Sequence, residues 1–181
     1  MSGWVWAVII IAAIVVIAII IAAAMRNSRK RSTHLRETFG DEYERVAVDD
    51  SGRATKAGED ELRRREMRRA NLDIRPLPPE QQQRYLGQWQ QIQSMFVDTP
   101  DRSVASAEQL VNQVMQARGY PVADDFENQA ELISVDHPDL VSNYREAHRV
   151  FERTRDSAAD TEEMRHSLVY YRSLFNELLA A

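Results

Sequence analysis

The sequence predicts an all-α protein: one N-terminal transmembrane helix, a charged helical connector, and then a helical bundle of about five helices. Three observations predict it. Residues 4–25 are apolar without exception. Beyond them, apolar residues recur at helical offsets of three, four, seven and eleven, and no stretch alternates at period two for long enough to make a strand. Proline and glycine separate the periodic stretches by the short connections that helical bundles use.

The first element runs from Trp4 to Met25. As a helix it spans about 33 Å, close to the roughly 30 Å hydrocarbon core of a bilayer. Twelve of its residues are Ile or Val and none is charged, so it has no polar face to turn toward water. A cleaved signal peptide is the alternative, with Ala22-Ala23-Ala24 as a small-residue cleavage site. However, no positive charge precedes the apolar run, and the run exceeds the usual 7–15 residues of such peptides. The charges follow it instead: Arg26, Arg29, Lys30 and Arg31. The positive-inside rule keeps that flank in the cytoplasm. The expectation is an uncleaved signal-anchor in the cell membrane, N-terminus out, with the C-terminal domain cytoplasmic. Cleavage would make the domain secreted or extracytoplasmic. Trp4 and Trp6 then lie at the outer interface, where indole rings are favoured. Ala18 and Ala22 form one small-xxx-small pair, a weak signal for a homo-oligomer.

Charge divides the remainder. Residues 26–75 carry a net charge of +3 and residues 76–181 a net charge of −8. The expected layout is an anchor at 1–25, a basic juxtamembrane helical connector at 26–71 and an acidic all-α bundle at 72–181. Within the connector, Leu35, Phe39, Tyr43 and Val46 make one helical stripe, broken at Gly40. Residues 49–58 are polar with two glycines and read as a mobile loop. Glu59 to Asn71 reads as a charged, solvated strut.

Pro76, Pro78 and Pro79 introduce the bundle. Its first helix runs from Glu80 to Phe96, with Tyr85, Trp89, Ile92 and Phe96 on one face. Pro100 suits the first turn of the next, which carries Val104, Ala107, Val111 and Val114. That helix stops at Arg118-Gly119-Tyr120-Pro121, a glycine cap followed by a proline block. A shorter helix, Asp124 to Val135, presents Phe126, Ala130 and Ile133. The next starts at Asp136-His137-Pro138 and runs to about Arg155, with Leu140, Val141, Tyr144, Ala147, His148 and Phe151 inside. Asp160 caps the last helix, with Glu163 at the capping-box position. Its stripe is Met164, Leu168, Tyr171, Phe175 and Leu178. Tyr170 lies off that stripe and is expected to be exposed.

Several phrases in this order resemble an uncharacterised family of short, mainly actinobacterial proteins labelled as membrane or secreted. They are Leu35-Arg36-Glu37-Thr38-Phe39-Gly40-Asp41-Glu42-Tyr43, Leu72-Asp73-Ile74-Arg75-Pro76-Leu77, Arg84-Tyr85 with Trp89, and Phe96-Val97-Asp98-Thr99-Pro100. Arg118-Gly119-Tyr120-Pro121, Val135-Asp136-His137-Pro138 and Tyr171-Arg172-Ser173-Leu174-Phe175 complete the set. The resemblance covers nearly all of residues 35–179 and implies no particular activity.

Chemistry is sparsely signalled. The chain has no cysteine, hence no disulfide and no thiolate metal site. There is no phosphate loop, dinucleotide turn, nucleophile elbow or kinase motif. Ser103, Ser106 and Ser134 lack an activating pattern. His148 and Glu152 are spaced i, i+4, a pair short of a zinc motif; His137 reads as a helix-start residue. The arginines of residues 63–69 are interleaved with acids, which argues against nucleic acid. The expectation is therefore no catalytic, cofactor-binding or metal residue. The predicted function is a non-enzymatic, single-pass, membrane-anchored interaction or scaffold protein. Its membrane-surface residues are Trp4, Trp6, Arg26, Arg29, Lys30 and Arg31, and its partners the lipid bilayer and a protein. The alternative is a small-ligand sensor or enzyme with a pocket inside the bundle. A cluster of His137 or His148 with buried acids would favour it.

Overall fold

The computed structural model describes residues 3–121 and 125–180, apart from the side chains at 3, 5–14, 21, 23–25 and 27–29. The chain is all-α. α1 (Gly3–Phe39) is a single helix of 37 residues that carries both the apolar run and the start of the connector. Among the described residues, no helix is long and apolar enough to cross a membrane. Most side chains of the expected span, Trp4 to Met25, lie outside the described ones.

α1 breaks at Gly40 (φ +50°) as the sequence suggests, and α2 (Asp41–Ala47) begins at once. The segment after it departs from expectation. It is a compact turn rather than a loose loop. Val48 and Ala54 form an isolated antiparallel bridge. The Asp49 carboxylate accepts from the Ser51 amide and hydroxyl and from the Arg53 amide. Thr55 then caps α3 (Lys56–Ala70) by accepting from the Gly58 amide. The glycine at 58 is therefore not a loop residue. It lies within the first turn of α3, where a Cβ would fall 2.3 Å from the Val46 carbonyl oxygen. Only glycine lets α2 and α3 approach that closely.

Nor is α3 a solvated strut. Leu62 is fully buried with Leu35, Phe39, Tyr43 and Ala47 in a small core of their own, flanked by Val46, Val48 and Val135. The helix also packs on α6. Its many charges are consumed by partners, as described below.

The distal bundle has five helices: α4 (Pro79–Met95), α5 (Pro100–Arg118), α6 (Phe126–Asp136), α7 (Pro138–Arg155) and α8 (Thr161–Ala180). α8 lies between α5 and α7; α4 covers α5, and α6 covers α7. The starts and stops follow local chemistry. Proline occupies the first turn of α4, α5 and α7, where no amide donor is needed. α8 opens on a reciprocal capping box: Glu163 N–H donates to Asp160, and Asp160 N–H donates to Glu163. α5 ends in a Schellman motif, with Gly119 N–H bonded to the Gln116 carbonyl and Tyr120 N–H to that of Met115. Gly119 sits at φ +105°, and a Cβ there would lie 2.3 Å from the Asp73 carbonyl oxygen. The proline-bearing segment before α4 is held across this end of α5 by Arg75 N–H to the Arg118 carbonyl and by buried Leu77.

The bundle core contains Trp89, Val104, Val111, Val114, Ile133, Val141, Tyr144, Tyr171, Phe175 and Leu178, together with residues off the expected stripes such as Met115 and Leu174. Trp89 stacks on Phe175 at 4.8 Å between ring centroids. Tyr170, expected outside, is half-buried against this core; its neighbour Val169 takes the exposed position, at 50 %.

Candidate membrane interface

Of the six predicted membrane-surface residues, Trp4 is 69 % exposed, and Arg26, Lys30 and Arg31 are exposed as well. The side chains of Trp6 and Arg29 lie outside the described ones. The informative stretch lies between them. Six consecutive residues, Val15-Val16-Ile17-Ala18-Ile19-Ile20, are all exposed. At about 100° per residue, six in a row point in every direction around the helix. Among the other described residues no helix exposes apolar side chains on all its sides.

The other end of the same helix is anchored in protein. Leu35 and Phe39 are buried in the small core. His34 Nε2 lies 3.2 Å from Glu66, Arg36 pairs with Glu44 at 3.2 Å, and the Arg36 guanidinium lies over the Tyr43 ring. Tyr43 donates to Glu59. From Met25 to Leu35 is ten helical residues, about 15 Å. The folded domain thus begins about three turns from the end of the apolar run.

What fastens α1–α3 to the bundle is mostly charge. Glu42, with 2 % of its side chain exposed, takes five guanidinium N–H donors from three arginines. Arg45 comes from α2 itself, Arg65 from α3 and Arg145 from α7. Burial alone would push the Glu42 carboxyl up. The hydrogen bonds and charges of Arg45 and Arg145 outweigh it and hold the carboxyl at about 2. The network continues outward. Arg65 reaches Glu61 and Glu131, Arg68 also reaches Glu131, and Arg145 reaches Glu127. Arg69 and the Tyr120 hydroxyl share Asp136 Oδ2. The sequence hides this site in plain view. Glu42 falls three residues after Phe39 and four before Val46, and Arg65 falls three after Leu62. Both charges lie on apolar stripes, a position that demands a partner.

A second buried charge lies inside the bundle. Glu108 of α5 is 6 % exposed and shares the face of Val104 and Val111. Its Oε1 lies 3.2 Å from His148 Nδ1 and accepts from Asn112. The Tyr171 hydroxyl faces the same carboxylate without reaching hydrogen-bond geometry, and burial and that charge both raise it. His148 stacks flat on Phe126 at 3.6 Å. His148 is half-buried, and Glu152, four residues on, is exposed and pairs with Arg155. No group of three or more metal-ligating side chains is present among the described residues. His137 is buried at the α6–α7 junction, its imidazole pushed down by burial. Two of the three singled-out serines serve structure: Ser103 donates to the Ile92 carbonyl and Ser134 to that of Glu131.

Clefts open on the surface among the described residues. One, of about 280 Å³, lies along α3 beside Glu61, Arg64, Met67, Arg68 and Asn71. Another, of about 230 Å³, runs between α4 and α5. No family model, curated protein or solved structure matches the chain.

Proposed function

We propose that the chain is a single-pass, membrane-anchored helical protein, non-enzymatic, whose distal domain serves as a protein-interaction or scaffold module. The observation that carries the reading is the exposure of Val15 to Ile20 on every side of α1, within a run of 22 apolar residues. The basic flank Arg26 to Arg31 orients the helix with the domain in the cytoplasm. Each of those charges near an anionic leaflet adds about 1 kcal/mol. In this layout residues 1–25 anchor, 26–71 connect and 72–181 form the distal bundle. The resemblance to the mainly actinobacterial family fits the same layout. The continuity of α1 into the buried Leu35 and Phe39 supports a scaffold role, because it fixes the domain's height above the bilayer. The test is alkaline extraction of membranes from expressing cells. The full chain is expected to stay in the pellet, and a chain lacking residues 4–25 to be released. Release of the full chain would sink the reading.

A second reading, a small-ligand sensor or enzyme, draws support from the His148–Glu108 pair. Among the described residues, the polar neighbours of that carboxylate are side chains of the bundle, Asn112, His148 and Tyr171, which favours a structural role. Loss of a bound small molecule from the purified protein on Glu108→Gln, with folding retained, would revive it.

A further inference from the structure

We infer that the α6–α7 junction is an acid-operated hinge: a proton taken up by His137 loosens α6, with the α3 docked on it, from α7. His137 is the single residue between the two helices, the C-cap of α6 and the N-cap of α7, at φ −135° and ψ 60°. Any turn of α6 against α7 passes through it. α6 in turn holds α3, through Glu131 with Arg65 and Arg68 and through Asp136 with Arg69. One buried residue, 8 % exposed, therefore joins the partner helix of α3 to the rest of the bundle.

The surroundings of His137 are short of negative charge. Arg118 of α5 and Arg69 of α3 face it as cations, and Asp136 and Glu177 of α8 as anions. Arg118 is 6 % exposed; it donates to the Leu178 carbonyl, and its Nε is buried without a partner. Asp136 is already engaged twice on one oxygen, by Arg69 and by the Tyr120 hydroxyl. Glu177 is exposed, where solvent screens it. Asp139, two residues on, lies beside Gly40. The negative end of α6 and the positive end of α7 meet at His137 and oppose each other. An imidazolium here is a second buried cation next to Arg118, with no anion of its own. Burial is the largest influence on the ring and pushes it below its ordinary 6.5. Asp136 and Glu177 pull upward without reversing this, and Arg118 and Arg69 add to the push. The contribution of the neutral ring is therefore complete above 6.5. It is lost as pH falls below that value, because the unfolded chain binds a proton that the folded junction disfavours.

The inference does not depend on the membrane reading, so detergent-solubilised full-length chain is a sufficient sample. Urea melts are compared between wild type and His137→Gln across the range in which histidine titrates. Relative to the variant, the wild-type folding constant is expected to fall by up to about tenfold per pH unit on the acid side, the slope of one proton. The same difference should persist when His148 or His166 is also replaced by Gln. Hydrogen exchange at about pH 5.5, corrected for its intrinsic pH dependence, should accelerate across 126–136 and 56–70 before 79–95. A second measurement keeps His137 in place and serves if the variant does not fold. Its ring signals in nuclear magnetic resonance are assigned by replacing His34, His148 and His166 in turn. The ring should still be neutral at about pH 6. Parallel pH curves for wild type and His137→Gln, acceleration spread evenly over the helices, or a ring that titrates at its ordinary value in the folded chain would overturn the inference.

Discussion

The carboxylate of Glu42 shows how a single side chain can decide whether two parts of a protein stay together. Five N–H donors from three helices converge on it, so removing its charge takes from buried Arg65 and half-buried Arg145 the one carboxylate they share. Glu42→Gln is expected to cost about 3 kcal/mol in a urea melt. The pH dependence follows from the same geometry. The folded carboxyl sits at about 2 against an ordinary 4.5. Its contribution is complete above the ordinary value and is lost as pH falls from 4.5 toward 2. Wild-type stability should therefore drop more steeply through that window than that of Glu42→Gln; parallel slopes would show that Glu42 does not carry the effect. Gly119 is the other decisive residue. Its positive φ and its approach to the Asp73 carbonyl mean that Gly119→Ala adds strain and a clash together. At least about 2 kcal/mol is expected, read as a lowered melting midpoint. An unchanged midpoint would mean that the segment before α4 moves aside freely.

At the level of elements, α4 rests on α5 and is pinned chiefly by Trp89 and Ile92, its two buried side chains. Trp89→Ala removes the stack on Phe175. The cost should be about 3 kcal/mol, the low end for a large buried aromatic, because its indole N–H is buried without an acceptor. Hydrogen exchange should accelerate across 79–95 before 161–180; uniform acceleration would show that α4 is not a separable element. The order and limits of the bundle helices were legible in the sequence because local signals set them: prolines in first turns, Gly119 after α5, and the Asp160–Glu163 box. The connector was less legible. Its polar composition describes a solvated strut just as well as a docked helix. The difference lies in partners 60 to 100 residues away, such as Glu131 for Arg65 and Arg145 for Glu42. Gly58 misled for a related reason: a glycine that permits flexibility and one that permits close packing look alike until the opposing backbone is known. Of the expected membrane-surface residues, Trp4, Arg26, Lys30 and Arg31 are exposed. The buried Glu108–His148 pair came from a residue 40 positions distant, beyond any local spacing rule.

For the whole molecule, the charge asymmetry across the apolar run sets the expected topology. Four basic residues follow it at 26–31 and none precedes it. A green-type fluorescent reporter fused after Ala181 should mature, and a phosphatase reporter at the same point should stay inactive. Strong phosphatase activity, or a mature N-terminus near Met25, would place the acidic domain on the opposite side.

A helix couples rise to rotation as a screw does, and α1 is unbroken from Gly3 to Phe39. The spacing between Met25 and Leu35 is therefore a phase as much as a length. Each residue added there lifts the domain by about 1.5 Å and turns it by about 100°. Two added residues swing the distal bundle about 200° relative to the start of α1. Seven bring it back to within about 20° while raising it about 10 Å. Insertions in this short stretch should therefore alternate between harmless and disruptive with the period of the helix, and their effect should not grow steadily with their size.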